Sequence, residues 1–138
     1  MFLADGSGTR ASSQRPGEIS DGPYESNSAF LFDATSAYFG CDNRGPKPCT
    51  LVFTGYTYDQ NLHNEVASYS QNATIPACPS SSGCPLQHVM FPQSFRDLSG
   101  LQIQAFVGGQ ERMFFMDNLA MAWANNTCAA GMARQSAQ

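Results

Sequence analysis

The run DQNLHNE, Asp59 to Glu65, is the one stretch of the chain that mixes a histidine with carboxylates. Asp59, His63 and Glu65 could together hold a divalent metal or act as a general acid–base pair, and the H-x-E spacing would put two of them on one face of a strand. The plain alternative is a solvated loop, since two ligands do not complete a catalytic metal site. A second feature is Asp117-Asn118, set inside the apolar run MFFMDNLAMAW. A carboxylate there must be paired, hydrogen-bonded or metal-bound. As a calcium ligand Asp117 would need oxygen partners, for which Asp33 and Asp59 are candidates; otherwise it accepts backbone N–H groups at a strand bulge or faces solvent. The third is Tyr56 and Tyr58, which alternate along TLVFTGYTY and lead into the polar loop. Such a face suits stacking on sugar rings, with Asp59 and Asn61 bonding hydroxyls and Trp123 as a further aromatic; alternate aromatics on a strand are also how a core is built. His88, in LQHVMF, reads as surface or core filling.

Other chemistries lack their residues. Neither a G-x-S-x-G nucleophile turn nor a glycine-rich phosphate loop occurs, and Cys128 has no catalytic signature around it. A glycosidase needs two placed carboxyl groups, but any folded chain with eleven acids offers some such pair, so their number argues nothing. The net charge of −4, with seven basic residues, argues against a nucleic-acid partner. No apolar run approaches the roughly 18 residues of a membrane span. The expectation is a domain without an active site of its own.

The five cysteines bear on compartment. Cys41 and Cys49 flank one Gly/Pro turn, CDNRGPKPC, and Cys78 and Cys84 another, CPSSSGC. Each pair closes a small polar loop between hydrophobic runs, as short-range disulfides do in oxidising compartments, and neither has the C-x-x-C spacing of zinc or redox sites. Cys128 is left over and open to a disulfide-linked dimer, although a monomer is expected. Sequons at Asn72 and Asn125 fit a secreted, glycosylated protein. The N-terminal MFLADGSGTRASS lacks the pattern of a signal peptide, so the expectation is either a truncated or misassigned gene product or a mature fragment with an added Met. The odd cysteine favours truncation over a cytosolic protein.

These features need a frame to position them. Short hydrophobic runs alternate with turn chemistry about every ten residues, the pattern of an all-β chain. Strands are expected over Ser28–Gly40, with Phe30, Phe32 and Ala34 on one face; over Thr50–Tyr58, with Gly55 at a bulge or close contact; and over Glu65–Ser70 and Leu86–Phe91. Leu101–Val107 alternates, Gly108-Gly109 makes a hairpin turn, and Met113–Trp123 returns beside it. The expected architecture is an antiparallel β-sandwich of two sheets, jelly-roll-like, over residues 24–131. A disordered leader (1–23) precedes it and a flexible tail (132–138) follows.

Read together, SAFLFDATSAYFGC, PCTLVFTGY, LSGLQIQAFV and FFMDNLAMAWANNTCAAGMAR resemble the C-terminal part of a group of small, cysteine-containing secreted fungal proteins of unassigned function. The wider pattern is similar to galactose-binding-like jelly rolls, the carbohydrate-binding modules that accompany extracellular enzymes. Phe32, Asp33 and Ser36 match the first element of that pattern, Gly55 and Tyr56 the second, and Phe114, Asp117, Asn118 and Leu119 the third. The resemblance covers about Tyr24 to Arg134 and departs at the N-terminus, where a preceding strand and cysteine are missing. It implies a β-sandwich with sugar-binding relatives and a structural calcium near Asp117. Fold likeness does not confer function.

The leading functional expectation is therefore a secreted, non-catalytic domain that binds a glycan, cell-wall polysaccharide in particular, through Tyr56, Tyr58, Asp59, Asn61 and Trp123. A secreted structural or protein-interaction domain of effector type is the alternative, and a hydrolase the third. The residues name no cofactor beyond the candidate calcium at Asp117.

Overall fold

The computed structural model describes residues 2–4, 17–80 and 82–137. In chain order these form β1 (Phe2–Ala4), β2 (Glu18–Ser20), two 3-10 turns (Gly22–Tyr24 and Ser28–Phe30), β3 (Phe32–Cys41), β4 (Cys49–Asp59), β5 (Asn64–Ile75), β6 (Gln87–Met90), β7 (Gly100–Val107), β8 (Gln110–Arg112), β9 (Phe114–Trp123) and α1 (Cys128–Ser136). The strands make two sheets: a four-stranded one in the order β1-β9-β3-β6, and a five-stranded one in the order β2-β7-β4-β5, with β8 also on β7. All pairings are antiparallel. The fold is thus the expected all-β sandwich. No helix among the described residues is long and apolar enough to cross a membrane.

Strand alternation builds the core. From the five-stranded sheet Cys49, Leu51 and Phe53 of β4 and Leu101, Ile103 and Ala105 of β7 point inward. They meet Phe32, Ala34, Ala37 and Phe39 of β3 with Phe114 and Met116 of β9. The inward set on β3 changes parity between Ala34 and Ala37, because bulges interrupt its pairing with β9 at Ala34/Ser36 and Ser36/Tyr38. A bulge inserts one unpaired residue and turns the following side chains to the other face. Gly55 is both things expected of it. A register shift falls at Gly55/Tyr56, and a Cβ there would stand 3.1 Å from Leu98 Cδ2.

Four sequence-based expectations need correction. Phe30 lies in a 3-10 turn, and β3 begins only at Phe32. The strand after Gly108-Gly109 is just the three-residue β8; β9 then crosses to the other sheet and pairs with β3 instead of returning beside β7. The leader is not wholly without structure: β1 pairs with β9, β2 pairs with β7, and the chain turns over Gly22–Tyr24. Backbone hydrogen bonds along sheet edges hold these short strands, so they need no apolar periodicity. The other expected leader positions, 1 and 5–16, lie outside the described residues. The tail is helical to Ser136: Thr127 Oγ1 accepts the Ala130 N–H and caps α1, while Arg134 of its last turn donates to the carbonyls of Ala29 and Asn125.

Both pairs of loop cysteines form disulfides, Cys41–Cys49 and Cys78–Cys84, and Cys128 is free and exposed. Two disulfides fit an extracellular protein.

Candidate functional site

Polar side chains gather beside aromatics on the outer face of the five-stranded sheet. Gly55 points inward, so strand alternation turns Tyr56 and Tyr58 outward, and both are half-buried. Tyr56 sits opposite Gly100 of β7 and Ala67 of β5, and its hydroxyl donates to Gln102 Oε1 at 3.0 Å. Tyr58 sits opposite Glu65 of β5. Glu65 is only 9% exposed, and Ser99 Oγ donates to its Oε2 at 2.9 Å. Gly100 makes room for this arrangement: a Cβ there would meet Glu18 Oε1 of β2 and stand 3.0 Å from Glu65 Oε2.

The β4–β5 hairpin carries the remaining expected residues and resolves the DQNLHNE question. Asp59 Oδ1 accepts the backbone N–H groups of Asn61 (2.8 Å) and Leu62 (3.1 Å), which shapes the turn. His63 occupies the left-handed region, φ 51°, and is exposed at that turn, whereas Glu65 is buried and bonded to Ser99. His63 and Glu65 therefore do not share a strand face, and no metal or acid–base pair is assembled from them. Asn61 is exposed at the tip. Trp123 ends β9 in the other sheet. It stands opposite Phe32, edge-on to Phe30 at 6.3 Å, with the Arg134 guanidinium 4.7 Å over its ring. The structure therefore groups Tyr56, Tyr58, Asp59 and Asn61 and separates Trp123 from them. Exposed His88 lies 4.7 Å from the Tyr38 ring on the four-stranded sheet.

At Asp117 the geometry is that of a bulge. Asp117 pairs with Tyr38, Ala120 pairs with Ser36, and Asn118 between them is left-handed at φ 52°. Asp117 Oδ1 accepts the Asn118 N–H at 2.9 Å. The candidate co-ligands are engaged elsewhere: Asp33 Oδ1 accepts the Asp97 N–H, Asp33 Oδ2 lies 3.6 Å from Arg96, and Asp59 shapes its hairpin. Among the described residues no three His, Cys, Asp or Glu side chains gather as a metal site. The residues around Asp117 thus do not fit the six to eight oxygens that calcium takes. Asn118→Ala is expected to lower stability by about 1 kcal/mol, because only Gly, and to a degree Asn and Asp, tolerate αL. Asn118→Gly should be nearly neutral. Thermal melts of both variants with and without calcium check this; a calcium-dependent rise in the wild-type Tm would restore the metal.

Sequence reasoning missed Gln102, Ser99, Glu18 and Asp21. Gln102 was visible as a polar position of LQIQAFV, but its bond to Tyr56 joins residues 46 apart in the chain. Asp21 closes the other side of the site. Its N–H bonds Ser99 O, both its carboxylate oxygens are shut off from solvent, and neither has a hydrogen-bond partner among the described residues. Burial first, then the neighbouring charge of Glu65, raises its carboxyl from 3.8 to about 7. A separate cavity of about 260 Å³ opens where the two disulfide loops meet, lined by Asp42, Asn43, Ile75, Leu86, Gln87 and Phe115 among others.

Of the sequons, Asn72 is exposed on β5, an edge strand, and Asn125 is half-buried with its Oδ1 accepting the Thr127 N–H.

No curated protein and no solved structure matches the chain. It belongs to a family described as a domain of unknown function, DUF7371, whose model matches residues 1–134.

Proposed function

We propose that this member of a family of unassigned function is a secreted, non-catalytic domain that binds a neutral glycan, cell-wall polysaccharide in particular, across the outer face of its five-stranded sheet. One observation carries the reading: Tyr56 and Tyr58 stand on the same outer face, and Gln102 holds the Tyr56 ring in place. A pyranose presents an apolar C–H face and a rim of hydroxyls, which two fixed phenol rings with adjoining amides can match. Tyrosine loses little conformational freedom on binding, and Tyr56 is ordered beforehand by its bond to Gln102. Asn61 at the hairpin tip adds a hydrogen-bonding group, and Asp59 sets the shape of the loop that presents it. Trp123 has no part in this site.

Retention on insoluble polysaccharides, followed by titration calorimetry, tests the proposal. Each ring should contribute about 1–1.5 kcal/mol, so Tyr56→Ala and Tyr58→Ala should each weaken binding about tenfold while the domain stays folded. Binding that survives both substitutions would remove the site.

A second reading, a protein-interaction domain, has an observation of its own. Tyr38, Met90, Met121 and Trp123 on the strands of the four-stranded sheet, and Met132 on α1, are all exposed, Met90 by 64% and Met132 by 69%. Exposed apolar side chains in such number suit a protein partner. A folded sample that no polysaccharide retains would shift the weight to this surface.

A further inference from the structure

Among the described residues, backbone bonds hold the stretch from Gly17 to Glu25 to the five-stranded sheet. Glu18, Ile19 and Ser20 pair with Gln102, Leu101 and Gly100, and the Ile103 N–H bonds Gly17 O. Ile19 packs against the core. Beyond β2 the Asp21 N–H bonds Ser99 O at 3.2 Å. Ser99 is itself a junction, since its N–H bonds Tyr56 O and its hydroxyl bonds Glu65 Oε2. This one anchor point thus ties β2, β4 and β5 together.

The anchor is electrostatically at odds with its surroundings. Both Asp21 oxygens are enclosed without a hydrogen-bond partner among the described residues. Every side-chain charge acting on Asp21 among the described residues is negative: Glu65 from β5, Glu25 from the turn that follows, and Glu18 from β2. Tyr56 and Ser99, the other groups at the junction, are neutral. A neutral Asp21 carboxyl sits in this site at little cost, whereas an ionised one meets both desolvation and repulsion.

We propose that Gly17–Glu25 is a proton-dependent clamp, docked on β7 and Ser99 while Asp21 is protonated and loosened from the sheet when Asp21 ionises against Glu65.

The direction follows from the two protonation equilibria. Below about pH 4 Asp21 is neutral whether docked or free, so docking has no electrostatic penalty. Between about 4 and 7 the free segment releases its proton while the docked one keeps it, and docking weakens steadily as pH rises. Above about 7 the docked carboxyl must carry charge, and the clamp is at its weakest. The clamp goes beyond the glycan reading. Only one consequence rests on that reading: Glu18 lies opposite Gln102 and so borders the Tyr56 face, and loosening β2 should reduce glycan affinity at alkaline pH.

Amide hydrogen exchange on the full chain without any ligand tests the clamp apart from the binding reading. Protection factors, corrected for intrinsic exchange, are compared at about pH 5 and about pH 8.5, on either side of the Asp21 titration. The amides of Asp21 and Ile103, which bond Ser99 O and Gly17 O, should lose protection about tenfold or more at the higher pH, one pKa unit's worth of coupling. The Phe53 amide, in the central β4, should not change. Asp21→Asn should keep both clamp amides protected at both pH values. If that variant fails to fold, Glu65→Gln takes its place and must move the midpoint of the loss to lower pH. Equal protection at the two pH values in the wild type, or a loss that persists unchanged in either variant, overturns the clamp.

Discussion

Phe39→Ala is expected to lower the stability of the domain by about 4 kcal/mol, the middle of the range for deleting a buried aromatic ring. Phe39 is fully buried on β3 of the four-stranded sheet, and its ring centroid lies 5.0 Å from that of Phe53 on β4 of the five-stranded sheet. Phe91 and Phe114 follow at 6.3 and 6.4 Å. Removing the ring therefore empties the seam between the sheets, where rigid strands cannot close the gap. Domains of this size are stable by about 5–15 kcal/mol, so the loss is a large share of the total. It should appear in urea unfolding as a lower midpoint with an unchanged slope, and in thermal melts as a fall of about 12–16 °C. Phe106→Ala is the control. Phe106 is half-buried on the opposite face of β7 from Ala105, so its loss should be within about 1.5 kcal/mol. A larger loss from Phe106→Ala than from Phe39→Ala would mean that the inward and outward faces of the sandwich have been exchanged.

That exchange is testable because the alternation of LQIQAFV is visible in the sequence, and the structure follows it residue by residue. Legibility ends where alternation is interrupted. The parity of β3 flips between Ala34 and Ala37, and that of β9 slips at Asn118, because a bulge depends on the partner strand. β2 was invisible for another reason. Three residues, EIS, bury one isoleucine against the core and otherwise bind through backbone groups that every sequence possesses. The helix α1 left a trace, Thr127 as an N-cap, but without a long apolar face its packing through Arg134 onto Ala29 could not be foreseen.

The candidate site divides the same way. Tyr56, Tyr58, Asp59 and Asn61 are near neighbours in sequence on a single hairpin, so strand period and turn chemistry suffice to group them. The Gln102, Ser99 and Asp21 contacts join strands distant in sequence, and only sheet order brings them together. Residue type groups Trp123 with the tyrosines, and sheet membership separates them. The DQNLHNE residues do not form a metal or acid–base site because His63 ends the hairpin turn in the left-handed region, whereas Glu65 already lies on β5, so sequence proximity does not become a shared face.

Breaking the Cys41–Cys49 bond is expected to have the second-largest effect, and the contrast with Cys78–Cys84 isolates its cause. The bonds close loops of similar length, with sequence separations of 8 and 6, so chain entropy alone predicts nearly equal losses of about 2–2.5 kcal/mol each. Their surroundings differ. Cys41 ends β3 in one sheet and Cys49 begins β4 in the other, so this bond staples the sandwich across its seam, with Cys49 fully buried in the core. Cys78–Cys84 spans the connection from β5 to β6, with Cys84 exposed; the Cys78 N–H bonds Asn43 O and joins that connection to the first loop. Replacing Cys41 and Cys49 by alanine should therefore cost the loop term plus about 1 kcal/mol of lost burial, whereas the same change at Cys78 and Cys84 should cost the loop term at most. Urea unfolding of the two double variants under oxidising conditions separates the contributions. If the losses are equal, chain entropy alone accounts for both bonds and the inter-sheet position of the first contributes nothing. If the first exceeds the second as expected, an oxidising compartment matters to this protein chiefly because one disulfide holds its two sheets together.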